Sequence, residues 1–405
     1  MKRHLKIVAF SLFIMTAFLF SCRGEEGSYN PPIPDIDTAR PVIPHIHSLE
    51  VIQNQPQESD TNTIWYDDFT GEKSYLESEG GLDNSESFGK TGSSMKAGFK
   101  QGDVSGEGNR KVAFGDFPSE SGVILTNRHF DEVYWRFYVY HQYGWQGAPG
   151  KMTRATSIIS EKWQQSMIVH VWSGNGNSIT LDPASGVYGQ TDSIRTTKYN
   201  DFDNLSWLGN KPESVFQISS ASESGYWVMV EAAVKLNTPG ISDGSCHLWI
   251  DGIANGERTN LNFRGSYTKH GINAIFLESY WNSGAVKTEG RWFDNFVIST
   301  KPIGPVTCQP NPKLFKTAYH GPGTLEVWEV EIASDRSGND VVFRSAEIKG
   351  TESVTADTMN GSFTGSAEGD THLKSGSMYY CRVRQKSSYG KWSEWSGWHQ
   401  PFIVS

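Results

Sequence analysis

Hydrophobic and polar residues alternate along positions 133–141. Val133, Trp135, Phe137 and Val139 fall on one side, and Tyr134, Arg136, Tyr138 and Tyr140 on the other. Period two with one apolar face predicts a half-buried strand. Residues 166–172 repeat the pattern, with Met167, Val169 and Val171 inward and Ser166, Ile168, His170 and Trp172 outward. Residues 227–235 do so again: Val228, Val230, Ala232 and Val234 oppose Trp227, Met229, Glu231 and Lys235. The dipeptides Asp243-Gly244 and Asp251-Gly252 bracket a further strand, His247–Ile250, as hairpin turns would. Near the C-terminus, Tyr379, Cys381 and Val383 alternate with Tyr380, Arg382 and Arg384. Long stretches with helical periodicity are hard to find. An all-β chain follows, with a large antiparallel sandwich over 61–302 and a small one over 303–405.

The N-terminus has a different pattern. The basic stretch Met1–Lys6 precedes an apolar run, Ile7–Phe20, broken only by Ser11 and Thr16. That length fits an export signal over 1–21 better than a membrane span. The run ends in Leu19-Phe20-Ser21-Cys22, which resembles the lipobox of bacterial lipoproteins. The resemblance implies cleavage before Cys22, a lipid on that cysteine, and a place in the cell envelope, at the outer membrane or cell surface. Residues 22–60 carry Pro31, Pro32, Pro34, Pro41, Pro44 and Pro56 and read as a stiff tether. His45 and His47 fall within it and read as linker chemistry rather than a metal pair.

Composition narrows the partners. The net charge of −9 becomes three units more negative once Lys2, Arg3 and Lys6 leave with the signal. An acidic chain without basic runs argues against nucleic acid. Cys246, Cys308 and Cys381 make neither a disulfide scaffold nor a zinc motif. Cys308 and Cys381 are open to pairing or to remaining buried thiols. A monomer is expected.

Two resemblances add to this. Trp227-Val-Met-Val-Glu-Ala-Ala-Val-Lys-Leu-Asn-Thr-Pro-Gly-Ile-Ser-Asp-Gly, followed by Leu248-Trp-Ile-Asp-Gly252, resembles the concanavalin-like jelly roll of alginate and glucuronan lyases. The opening Asp67-Asp68-Phe69 and the closing Phe293-Asp294-Asn295-Phe296-Val297 fit that domain's first and last strands. In the C-terminal region, Lys391-Trp-Ser-Glu-Trp-Ser-Gly-Trp398 after an Arg-x-Arg strand resembles fibronectin type III modules. That resemblance implies arginines interleaved with tryptophans as a cation–π ladder.

A jelly roll offers a concave sheet as a groove. The outward faces predicted above nominate Arg136, Tyr138, Tyr140, His170, Trp172, Trp227, Glu231, Lys235, Trp249, Glu278 and Tyr280 as glycan contacts. Rings stack on sugar faces, and charged groups hydrogen-bond hydroxyls and carboxylates. A retaining glycoside hydrolase needs two carboxyl groups about 5 Å apart. No alternating acidic run supplies them, since Glu231 and Glu278 lie on separate strands. A lyase needs a cation for a uronate carboxylate, a base for the C5 proton and an acid for the leaving oxygen. Arg136, Tyr138, Tyr140, Lys151 and His170 supply those types, and Lys151 sits where the resembling lyases carry a functional lysine. The lyases' Ser-x-Arg is absent, because Met167 and Ile168 follow Ser166, and the Tyr138/Tyr140 pair lies upstream of Lys151 rather than downstream. No cofactor is required, although Asp68 and Asp294 on neighbouring strands are candidates for a structural calcium. Three functions stay open: a glycan-binding lipoprotein, a uronate lyase, and an adhesion protein without glycan chemistry.

Overall fold

The computed structural model describes residues 40–52, 60–119, 121–174, 177–209 and 224–405. The expected export signal over 1–21, Cys22, and residues 23–39 and 53–59 of the 22–60 segment lie outside them. Among the described residues every regular element is a strand or a short 3-10 turn.

Two eight-stranded sheets face each other over residues 63–299. In the first, the strands Ser206–Trp207, Ile179–Ser185, Gln165–Ser173, Lys151–Ile158, Ala274–Tyr280, Asn109–Phe114 and Glu77–Glu79 follow in that order, and the eighth, Val123–Ile124, pairs with Asn109–Phe114. In the second, the order is Ile253–Leu261, Gly244–Ile250, Trp227–Lys235, Glu132–His141, Arg291–Ser299, Ser94–Lys96 and Leu82–Asp83, and the eighth, Thr63–Asp67, pairs with Arg291–Ser299. The first and last long strands pair as expected, with Phe296 opposite Asp67. The inward residues read from the alternation meet between the sheets: Val133, Trp135, Phe137 and Val139 pack with Met167, Val169, Val171, Ile275 and Leu277. Each such side chain, fully buried, contributes roughly 1.5–3 kcal/mol. Trp135 keeps its polar edge satisfied by donating from Nε1 to Thr153 Oγ1 at 2.9 Å. The Asp251-Gly252 turn joins Gly244–Ile250 to Ile253–Leu261 with both residues at positive φ, +48° and +73°. This is the two-residue hairpin geometry that glycine relieves.

The C-terminal region forms a second sandwich. Its six-stranded sheet runs Thr307–Cys308, His399–Val404, Met378–Ser387, Leu325–Ala333, Val341–Ser345 and Gly361–Phe363. Arg382 lies 4.8 Å from the Trp395 ring and 4.6 Å from Trp398, while Arg384 lies 4.4 Å from Trp392 and 4.6 Å from Trp395. The two guanidinium groups thus alternate with three indoles. Glu331 and Glu329 on the neighbouring strand pair with Arg382 and Arg384.

The opposing sheet has three strands, Ile46–Leu49, Lys313–Lys316 and Ser353–Thr355. The first comes from the segment read as a tether, and all four of its residues are buried. The tether reading is therefore corrected over 46–49: a four-residue strand is too short to show a period, and the nearby prolines mask it. The larger sandwich is inserted between the first and second strands of this sheet. His45 is not linker chemistry either. Its ring stacks on Tyr226 at 4.0 Å and meets His399 edge-on at 5.2 Å. His47 is buried, with Nδ1 3.1 Å from Ser48 Oγ and Nε2 3.5 Å from Glu86. Cys246, Cys308 and Cys381 are buried free thiols.

Candidate functional site

The outer face of the first sheet carries a groove of about 560 Å³. Strand order builds its floor. Lys111 pairs across to Phe276, Phe276 to Arg154, Arg154 to His170, and His170 to Asp182. Residues from five strands thus form one transverse row on one face. Lys151 and Arg154 are three apart and would fall on opposite faces of a regular strand. Here the consecutive Met152 and Thr153 both turn to the core, where Met152 packs and Thr153 meets Trp135. Lys151 and Arg154, on either side of them, both line the groove.

Glu278 organises the floor. Arg154 donates to it from Nε at 3.2 Å and from Nη2 at 2.6 Å, a bidentate fork. The third guanidinium nitrogen donates to Asn200 Oδ1 at 2.5 Å. Lys151 Nζ stands 3.8 Å from the same carboxylate. Burial works to raise the Glu278 carboxyl, but the Arg154 and Lys151 charges outweigh it and hold it below the usual range. Burial pushes the Lys151 amine down to about 8, with Glu278 offsetting it only in part. The amine lies 4.9 Å from the Trp172 ring, 5.2 Å from Tyr280 and 5.8 Å from Phe202. Lys111 approaches Trp163 and Tyr199 at 4.9 and 5.5 Å and ion-pairs with Glu77. Burial also raises the Tyr199 phenol.

Lys151, His170, Trp172, Glu278 and Tyr280 therefore come together here. Arg154, Tyr199, Asn200, Phe202 and Trp207 join them from outside the nominated set. The run Lys198–Phe202 reads from sequence as a groove-edge loop, and that was the available signal for three of these.

The remaining candidates belong elsewhere. Arg136, Tyr138, Tyr140, Trp227, Glu231, Lys235 and Trp249 lie on the second sheet. Most of its outward face is buried under the C-terminal sandwich. Arg136 donates to Gly304 O at 2.9 Å, Tyr138 Oη accepts from Val306 N at 3.1 Å, and Glu231 accepts from Ile303 N and Gly304 N at 2.9 Å each. Tyr140, Trp227 and Trp292 pack with Ile46 and Val306 in a second core that spans the junction. Lys235 is exposed at its strand end, and Trp249 stacks on His247. Alternation identifies the face that avoids the main core; it does not say whether water or a second domain covers it.

Asp68 and Asp294 are engaged with protein donors. Asp68 accepts from Thr70 Oγ1 at 2.7 Å and Tyr66 Oη at 3.2 Å, and Asp294 accepts from Phe88 N at 2.8 Å and Asn295 N at 2.6 Å. Among the described residues no group of three or more His, Cys, Asp or Glu is arranged to hold a metal ion.

No protein-family model matches the chain, and no curated protein is significantly similar. Solved structures do resemble it. The endo-β-1,4-glucuronan lyase of the fungus Trichoderma reesei is 14% identical, with a TM-score of 0.39 over 59% of this chain and 96% of that one. The PL-14 alginate lyase of Aplysia kurodai is 14% identical, with a TM-score of 0.38 over 60% of this chain and 100% of that one. Alginate lyase vAL-1 from Chlorella virus gives 14%, 0.39, 59% and 100% in the same terms.

Proposed function

We propose that this protein holds a polysaccharide in the groove of the first sheet. The observation that carries the reading is the combination of a recessed polar floor, Glu278 with Arg154 and Lys151, and a rim of aromatic rings. Rings stack on the apolar faces of sugars, and the floor supplies fixed hydrogen-bonding groups. The test is retention of the protein in gels containing polysaccharide. Retention that is lost in Trp172→Ala supports the reading, and retention unchanged by every groove variant sinks it.

Lys151 favours a second reading, β-elimination from a uronate polymer. An amine brought to about 8 has the deprotonated fraction that a base needs near neutral pH. Lys151 would take the C5 proton, a tyrosine such as Tyr280 would protonate the leaving oxygen, and a double bond would form between C4 and C5. Ultraviolet absorbance of that bond tests it: product formation that vanishes in Lys151→Ala supports elimination, and no product from any uronan rejects it. The lipobox-like Leu19–Cys22 supports export and lipidation at Cys22. Metabolic labelling with a fatty acid, lost in Cys22→Ser, checks this. The Arg–Trp ladder supports reading the C-terminal sandwich as a fibronectin type III-like module that acts as a spacer.

A further inference from the structure

We infer that the groove takes an uncharged polysaccharide rather than a polyuronate. The inference rests on the groove being a glycan site, and it chooses among the polymers that reading allows.

The cations of the groove are already compensated. Arg154 spends all three nitrogens on Glu278 and Asn200. Lys151 shares the same carboxylate, and Lys111 is paired with Glu77. They are also recessed: the Arg154 side chain is 1% exposed and that of Lys151 is 5%. Among the described lining residues, Lys111, Lys151 and Arg154 are matched in number by Glu79, Asp182 and Glu278. A uronate carboxylate entering here would lose water without gaining an unpaired cation, which is costly. It would also enter a chain whose net charge is −9, so the long-range field repels a polyanion.

The parts of the wall that reach solvent favour a neutral ligand. Trp207, Tyr280 and Phe202 are 44%, 40% and 39% exposed, and all three line the groove. An uncharged sugar offers C–H faces to such rings at little desolvation cost. Its hydroxyls can donate to the remaining lone pairs of Glu278, Asp182 and Glu79 without displacing the ion pairs. The pairs then act as a fixed acceptor floor rather than as an anion trap.

The experiment is affinity electrophoresis of the full chain against a broad array of neutral polymers (mixed-linkage β-glucan, xylan, galactan, galactomannan) and polyuronates (alginate, glucuronan, polygalacturonate), at low and high salt. The expected result is retention by a neutral polymer, insensitive to salt and weakened about tenfold in Trp207→Ala. Because Trp207 is half exposed, that variant should keep its fold, which circular dichroism verifies. Tighter retention by a polyuronate that falls with salt overturns the substrate class while leaving the groove a glycan site, as does elimination product from a uronan. Absence of retention across the whole array overturns both the inference and the reading beneath it.

Discussion

At the residue scale the site turns on Glu278, one carboxylate between two cations. Removing its charge in Glu278→Gln leaves Arg154 and Lys151 facing each other in a nearly closed floor. Breaking a buried pair in this way costs about 3 kcal/mol. Urea denaturation should show a loss of that size, and a loss below about 1 kcal/mol would mean that water already screens the pair. On the other sheet Tyr138→Phe removes one hydrogen bond to Val306 N, so destabilisation of about 1 kcal/mol is expected. Glycan retention should be unchanged there, because Tyr138 lies under the second sandwich and not in the groove. His170 and Trp172 were legible in the sequence because their strand is regular and its parity holds. Arg154 was not. Its strand, Lys151–Ile158, is buried on both faces and mixes polar and apolar residues without alternation, so no local pattern reports which side faces the groove.

At the element scale the long strands were legible and the short ones were not. Alternations over seven to nine residues show which side avoids the core, and the inward sets read from 133–141, 166–172 and 227–235 are buried as expected. The four residues of Ile46–Leu49 gave no period, and their partner lies more than 260 positions away at Leu314–Lys316. Ile46→Asp puts an unpaired charge at a site with no exposure. Limited proteolysis should then release fragments from the C-terminal sandwich first, while the jelly-roll core stays protected. Cleavage beginning within 63–299 would count against the strand's role.

At the scale of the whole molecule, acid should loosen the fold through buried histidines. Burial holds His141 and His399 uncharged, well below the ordinary 6.5. The unfolded chain takes up those protons near 6.5 and the folded one does not. Stability is therefore full above that pH and falls below it, by up to about 1.4 kcal/mol per pH unit for each histidine. Asp251 works the other way. Burial raises its carboxyl to about 6, so protonation stabilises the fold as pH falls from about 6 towards 3.8. Melting temperature against pH should be shallower in His399→Gln and steeper in Asp251→Asn than in the parent chain. The reverse order would mean that these groups are not held as described. The presence of two sandwiches was legible from chain length and pattern. Their shared core was not, because Tyr138, Tyr140 and Trp227 are chemically as suited to a sugar as to a second domain.

The insertion of one sandwich into the other has a mechanical consequence. A pull on the chain ahead of Arg40 reaches Ile46–Leu49 first, where backbone bonds to Lys313–Lys316 and a buried apolar face resist it. If that strand yields, the next strand among the described residues is Thr63–Asp67, which belongs to the second sheet, paired with Arg291–Ser299. Neither strand is part of the groove sheet. Tension between the N-terminus and a polymer in the groove would thus be borne by a sacrificial strand and then by the back of the jelly roll. The pairing that sets Arg154 between Phe276 and His170 would be among the last features to feel the load.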